Sequence, residues 1–253
     1  MKRKIAHFII SVFAVMITII VITPVIMTIV MSFRNGWETY VDLAIWEPAY
    51  THAMSNSIII SFAASAGSIV IAIPAAFAFA KRGFKGSGAL FGLYVIAMIM
   101  PFQITLLPQY IVSKRLMIYD TGLALILPGI FAPFSVFLMT QNMKMMSDDV
   151  IEYAVLDTSS TFRILWHIVI PIMRPAVICT FILSFAEQWN AVAEPLILLE
   201  TADKFPMAIL FDEIGAGDVL AFAAASVFMI IPLMLFVIYN EEISEGMAAY
   251  QLK

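Results

Sequence analysis

Six stretches of about 20 or more predominantly apolar residues run through the chain, over residues 5–33, 56–80, 89–111, 121–143, 175–199 and 219–239. A helix needs about 20 such residues to cross the roughly 30 Å hydrocarbon core of a bilayer. Inside that core every backbone N–H and C=O must be satisfied within the segment, which favours helices. The stretches therefore predict an all-α, polytopic membrane protein of six transmembrane helices, with residues 1–253 as a single transmembrane domain. Composition agrees: 62% of residues are hydrophobic and 13% charged, about half the charge of an ordinary soluble domain. The net charge of -4 argues against a surface that tracks nucleic-acid phosphates. Lipid is the expected surroundings. Cys179 is the only cysteine, so neither a disulfide framework nor a thiolate metal cluster is available.

The loops set the orientation. With the N-terminus in the cytoplasm, all of the 14 Lys and Arg fall inside except Arg34, Lys114, Arg115 and Lys204. That follows the positive-inside rule and puts both termini in the cytoplasm. Lys2, Arg3 and Lys4 precede the first stretch as in a signal peptide. The stretch is far longer than the roughly 7–15 apolar residues of a signal and reads as a retained helix. Pro24, Pro74, Pro101, Pro128, Pro133 and Pro232 lie in or near the stretches. They read as kinks in packed helices, or as bends that shape an aqueous path. Gly67, Gly88 and Gly92 suit close helix contacts.

Residues 147–175, between the fourth and fifth stretches, are long for a helix–helix connection and not loop-like. Ser147 or Asp148 can cap a helix on which Val150, Ile151, Ala154 and Val155 recur at helical spacing. Ser159 or Ser160 can cap a second, carrying Phe162, Leu165 and Trp166 on one side before Pro171 and Pro175. The result is an amphipathic cytoplasmic hairpin too short to be stable alone. Either it lies on lipid, with Arg163, His167 and Arg174 at the headgroups, or a protein covers its apolar side.

Glu152-Tyr153-Ala154, Asp157, Phe162, Ile168, Pro171 and Pro175 resemble the EAA loop of ABC importer permeases, with spacing preserved over about 25 residues and in the same position between helices four and five. The resemblance implies a coupling helix that docks on an ATP-hydrolysing subunit. Glu152 would make a polar contact to that subunit, Ala154 would pack closely, and Asp157 would end the first helix. Tyr153 departs from the family's second Ala, and Thr158 stands where Gly is usual. Thr disfavours the left-handed turn that Gly permits, so either the turn is built differently or Thr158 begins the next cap.

The fifth stretch carries Glu187, Gln188, Trp189, Asn190 and Glu194. Ionisable groups at membrane depth are costly and face a bundle interior or water. The i, i+3, i+7 spacing of Glu187, Asn190 and Glu194 puts them on one helical face. Amides and carboxylates bind sugar hydroxyls, and an indole can stack on a sugar ring. The stripe is either a translocation path or a polar contact between helices. Trp189-Asn190 followed by Pro195-Leu196 is similar to the fifth helix of carbohydrate-type permeases, in the second-permease group of the maltose type. Glu245 to Lys253 partly resembles that family's tail.

His7, His52 and His167 are scattered, and no P-loop, G-x-S-x-G or H-E-x-x-H pattern occurs. No cofactor or catalytic role is expected. The resemblance implies a permease subunit with a sister permease, two ATP-binding cassette subunits at residues 147–175, and an extracytoplasmic solute-binding protein delivering a sugar. Alternatives are a permease for another polar solute, such as a polyamine or phosphate ester, and a membrane scaffold without a path.

Overall fold

A computed structural model describes residues 2–45, 48–213 and 218–248, with side chains for 10–44, 48–211 and 218–247. In chain order the helices are α1 (Lys2–Ser32), α2 (Glu38–Ile45), α3 (Pro48–Phe77), α4 (Ser87–Ile99), α5 (Phe102–Arg115), α6 (Leu123–Ile130), α7 (Pro133–Met145), α8 (Asp148–Asp157), α9 (Thr161–Ile164), α10 (Ile170–Ile172), α11 (Arg174–Trp189), α12 (Ala193–Leu198), α13 (Met207–Glu213), α14 (Val219–Ile238) and α15 (Asn240–Ala248). Single π turns follow α3 at Ala78–Arg82 and α9 at Leu165–Val169. No strand occurs among the described residues.

Among the described residues, four helical segments are long and apolar enough to cross a membrane: Ile10–Ser32, Pro48–Arg82, Leu123–Met145 and Val219–Ile238. Two bent pairs bring the total to six if each is one span: Ser87–Ile99 with Phe102–Arg115 at 101°, and Thr161–Ile172 with Arg174–Trp189 at 83°. The third apolar stretch is therefore not one straight helix. Met100 is extended (ψ 131) ahead of Pro101, as steric conflict with a following proline ring favours. The fifth stretch ends as a helix at Trp189 and resumes as α12, short of the unbroken run to residue 199 that hydropathy alone suggests.

The chain divides into two compact units, Met1–Thr51 with Leu210–Ile231 and His52–Ile209 with Pro232–Lys253. In the first, α1 presents apolar side chains on all sides, and Ile10, Phe13, Ile20 and Val30 are all exposed. A helix apolar all round belongs in lipid or against another membrane protein. At its end Ser32 Oγ donates to the Ile29 carbonyl at 2.6 Å and shares a 2.6 Å hydrogen bond with the Tyr40 hydroxyl. Phe33, Trp37 and Tyr40 cluster there with centroids 5.1–5.7 Å apart; Trp and Tyr carry the amphipathic rings favoured where a span meets water.

The second unit holds its helices together with small and hydroxylated residues. Lipid gives helices little hydrophobic reason to associate, so close packing and hydrogen bonds carry the contact. Ser65 donates to the Ser61 carbonyl, Ser68 to the Ser65 carbonyl, and Ser135 to Ser68 Oγ at 3.2 Å, while Ser135 and Ser184 share a 3.0 Å bond. This buried ladder joins α3, α7 and α11. Beside it Ala72, Ala76, Phe77, Met139, Met143 and Ala176 form the core.

Among the described residues, three glycines mark the closest approaches. A Cβ on Gly67 would stand 2.5 Å from Ile130 Cγ1, one on Gly129 2.7 Å from Ala64 Cβ, and one on Gly246 2.5 Å from Cys179 Cβ. Gly67 thus acts as expected, but Gly88 and Gly92 face open space. The Gly246 contact seats α15 on α11, with Ile243 buried. The part of the tail resemblance at Ala249–Lys253 lies outside the described residues.

Candidate functional site

Two regions of the second unit gather the singled-out residues, one near each end of α3. The first is the hairpin. Ser147 Oγ accepts from the Asp149 N–H at 3.3 Å and caps α8. Asp148 and Asp149 in its first turn complement the positive helix end. The helix stops at Thr158, which is extended (φ -154) rather than left-handed. Thr158 Oγ1 instead accepts from the Ser160 N–H at 3.3 Å, and Ser160 Oγ accepts from Arg163 N–H at 3.4 Å to cap α9. The turn is thus built from hydroxyl caps and needs no left-handed residue.

Burial splits the hairpin into two faces. Ala154, Ile164 and Val169 are buried against the core. Tyr153, Val155, Leu156, Phe162 and Trp166 are 53–82% exposed. The rings of Phe162 and Trp166 stack at 6.2 Å, so one aromatic surface faces outward. Glu152 and Asp157 are exposed beside it. Within the loop, Ala154 serves packing and Thr158 the turn. Glu152, Tyr153, Asp157 and Phe162 are exposed.

The second region is a cavity of about 380 Å³, within the usual ~300–1,000 Å³ of small-molecule sites. Its polar lining comes from Ser57 and Ser61 of α3, Thr105 and Gln109 of α5, Glu187 and Gln188 of α11, and Glu194 of α12. Ser61 Oγ and Gln109 Oε1 have no hydrogen-bond partner among the described residues. None of the described lining residues carries a positive charge. Of the polar residues singled out in the fifth stretch, Glu187, Gln188 and Glu194 line this cavity. Trp189 does not join them: it is 1% exposed and stacks on Phe185 at 5.2 Å. Asn190 lies just past the helix end, its Nδ2 donating to the Ala186 carbonyl at 2.8 Å, and is not among the lining residues. Because α11 ends at Trp189, the i, i+3, i+7 face does not continue, and Glu194 reaches the cavity from a separate helix. Ser61, Thr105 and Gln109 were not legible as site residues; isolated Ser, Thr and Gln in apolar helices give no spacing signal.

A latch closes the connection beside this cavity. Asp120, in the left-handed region (φ 57), accepts from the Glu200 and Thr201 N–H groups, Thr201 Oγ1 and Lys204 Nζ, at 2.7–3.0 Å. Asn56 Nδ2 donates to the Asp203 and Phe205 carbonyls, and Ser57 Oγ accepts from Met207 N–H. The Lys204 hydrogen bond, then those from Thr201 and Glu200, hold the Asp120 carboxyl well below the usual carboxylate range. A depressed pKa adds stability above the unfolded value, about 4, that is lost as pH falls towards the folded value. Amide exchange in residues 199–206 should therefore accelerate as pH falls below about 4 relative to intrinsic rates. Asp120→Asn should show fast exchange already at neutral pH and no acid transition; slow exchange in the variant would refute the latch.

Residues 68–241 match the family model described as binding-protein-dependent transport system inner membrane component. The chain is 28% identical over 265 residues to the arabinooligosaccharides transport system permease protein AraQ of Halalkalibacterium halodurans, covering 94% of each chain. It is 31% identical over 208 residues to the osmoprotective compounds uptake permease protein GgtD of Synechocystis, covering 79% of this chain and 70% of that one. In fold it is similar to a chain of a bacterial ABC transporter involved in the import of the acidic polysaccharide alginate, with a TM-score of 0.79 and 18% identity, covering 94% of this chain and 96% of the other.

Proposed function

Because the chain belongs to the family of binding-protein-dependent transport system inner membrane components, the permeases of ABC importers, we infer that residues 1–253 act as one permease domain that passes an oligosaccharide across the membrane. Both termini face the cytoplasm. A sister permease supplies the other wall of the path, a solute-binding protein delivers the sugar on the outer side, and two ATP-binding cassette subunits dock on the hairpin and hydrolyse ATP. Glu152 and Asp157 are the polar contacts to those subunits, and Tyr153 and Phe162 the apolar ones. Glu187, Gln188 and Glu194 line the path.

The observation that carries this reading is the outward aromatic face of a hairpin whose other face is buried. An exposed contiguous apolar patch marks an interaction surface, and the resemblance of Glu152 to Pro175 to the EAA loop supports reading it as the coupling loop. Mechanically, closure of the ATPase pair on ATP would push α8 and α9 as a rigid body and switch the helices between inward and outward openings. The names of relatives such as AraQ support sugar as the solute, as does a cavity lined by hydroxyl, amide and carboxylate groups. A phosphate ester fits less well, since no described lining residue could pair with its charge.

Native mass spectrometry of the complex purified through this chain tests the reading. The expected mass contains this subunit, a second permease and two nucleotide-binding subunits, and the cells should take up labelled arabino-oligosaccharide. Recovery of the chain without any nucleotide-binding subunit would overturn it.

A further inference from the structure

The end of the second span holds the hairpin at two points. Lys81 Nζ lies 2.6 Å from Asp148 Oδ1, on the first residue of α8, and also donates to the Met146 carbonyl, on the residue that ends α7. Its side chain is only 3% exposed. One ammonium group therefore spans the joint where the fourth membrane segment hands over to the hairpin. Its neighbour Arg82 donates to Thr161 Oγ1, on the first residue of α9. The N-terminal ends of both hairpin helices are thus tied to two consecutive residues of one element.

That element is a π turn, Ala78–Arg82, continuous with α3. Single π turns inserted in helices recur at functional positions. The extra residue changes the angular spacing of the last side chains. Along α3 and this turn, Lys81 is 20 residues from Ser61, roughly 30 Å at helical rise. Ser61 lines the cavity. The same continuous helical element therefore has the hairpin at one end and the polar cavity towards the other.

We propose that Lys81 and Arg82 are positioning residues that clamp the coupling hairpin to the second span, so that displacement of the hairpin by the ATPase subunits moves the cavity wall. The inference rests on the docking reading above. Without the clamp the hairpin still docks, but its motion dissipates at the joint between Met145 and Asp148. Coupling free energies between distant sites usually correspond to factors of about 5–150.

The test uses the whole reconstituted importer, with its own sister permease, ATPase and binding proteins. In Lys81→Met the ATPase subunits should stay bound, while stimulation of ATP hydrolysis by the binding protein falls about tenfold. Asp148→Asn should do the same, and the double variant should be no worse than either alone. Lys81→Arg should retain most of the stimulation. A nitroxide at Ser159→Cys, in a Cys179→Ala background, should become more mobile in Lys81→Met and in Asp148→Asn. If Lys81→Met does not assemble, Asp148→Asn carries the test, because its carboxylate is 79% exposed and is not needed for packing. Wild-type stimulation together with unchanged label mobility in Asp148→Asn would overturn the clamp. Loss of ATPase subunits from the unmutated complex would instead overturn the docking reading, and label mobility in the permease alone would still decide the clamp.

Discussion

Phe162→Asp is expected to strip the importer of its ATPase subunits and abolish uptake. Phe162 is 74% exposed and lies flat against Trp166, with Tyr153 and Leu156 exposed on the preceding helix. If a protein groove covers this surface, the Phe162 ring is buried in the assembly. Truncating a buried aromatic anchor at an interface typically costs at least ~2 kcal/mol, about 30-fold in affinity. A carboxylate there costs more, because it enters the contact desolvated and unpaired. Glu152→Lys should weaken retention as well, by reversing a polar contact at the rim. Retention of ATPase subunits on the purified complex is the measurement, with Ile172→Asp as the control: Ile172 is exposed but lies in α10, beyond the aromatic face. A hairpin resting on lipid gives a different outcome, with ATPase retention unchanged in Phe162→Asp and Glu152→Lys alike.

The hairpin and the cavity were legible to different degrees, for identifiable reasons. Hydroxyl caps act locally, so Ser147 and Ser160 could be read from a few neighbouring residues, and both cap helices as expected. Thr158 could not be settled, because the choice between a left-handed turn and a hydroxyl turn depends on how α9 packs. Proline position was a poor guide to breaks. Pro24, Pro74, Pro108, Pro128 and Pro232 all lie inside continuous helices, whereas Pro101 and Pro133 stand at helix starts. At a helix start the missing N–H has no intrahelical partner to lose, whereas inside a membrane helix neighbouring groups can satisfy the freed carbonyl, and hydropathy records neither. Lys81 and Arg82 looked like ordinary positive-inside residues. Their role becomes visible only once residues 146, 148 and 161 come within reach, 65 to 79 positions away. Trp189 is the clearest departure. Its polar neighbours suggested a sugar platform, yet one helical turn earlier sits Phe185, and ring stacking turns the indole into the core.

That placement of Trp189 sharpens what the cavity should do under substitution. Gln188→Leu and Glu187→Ala should each lower uptake of labelled arabino-oligosaccharide about 5–150-fold while leaving all subunits associated. The range follows from losing one hydrogen-bond partner to a bound polar group, which costs ~1–3 kcal/mol when the other partner is left unsatisfied. Ser61→Ala should act in the same direction, since Ser61 Oγ lines the cavity with no partner among the described residues. Asn190→Ala should affect uptake much less, because its amide donates to the Ala186 carbonyl at the end of α11 rather than facing the cavity. The contrast between Gln188 and Asn190 is informative because the two are chemically alike and two residues apart. A path through this cavity makes them unequal. A polar contact with the sister permease predicts instead that Glu187→Ala and Gln188→Leu release that subunit. Equal, small effects from both positions with every subunit retained would remove the cavity from the translocation path.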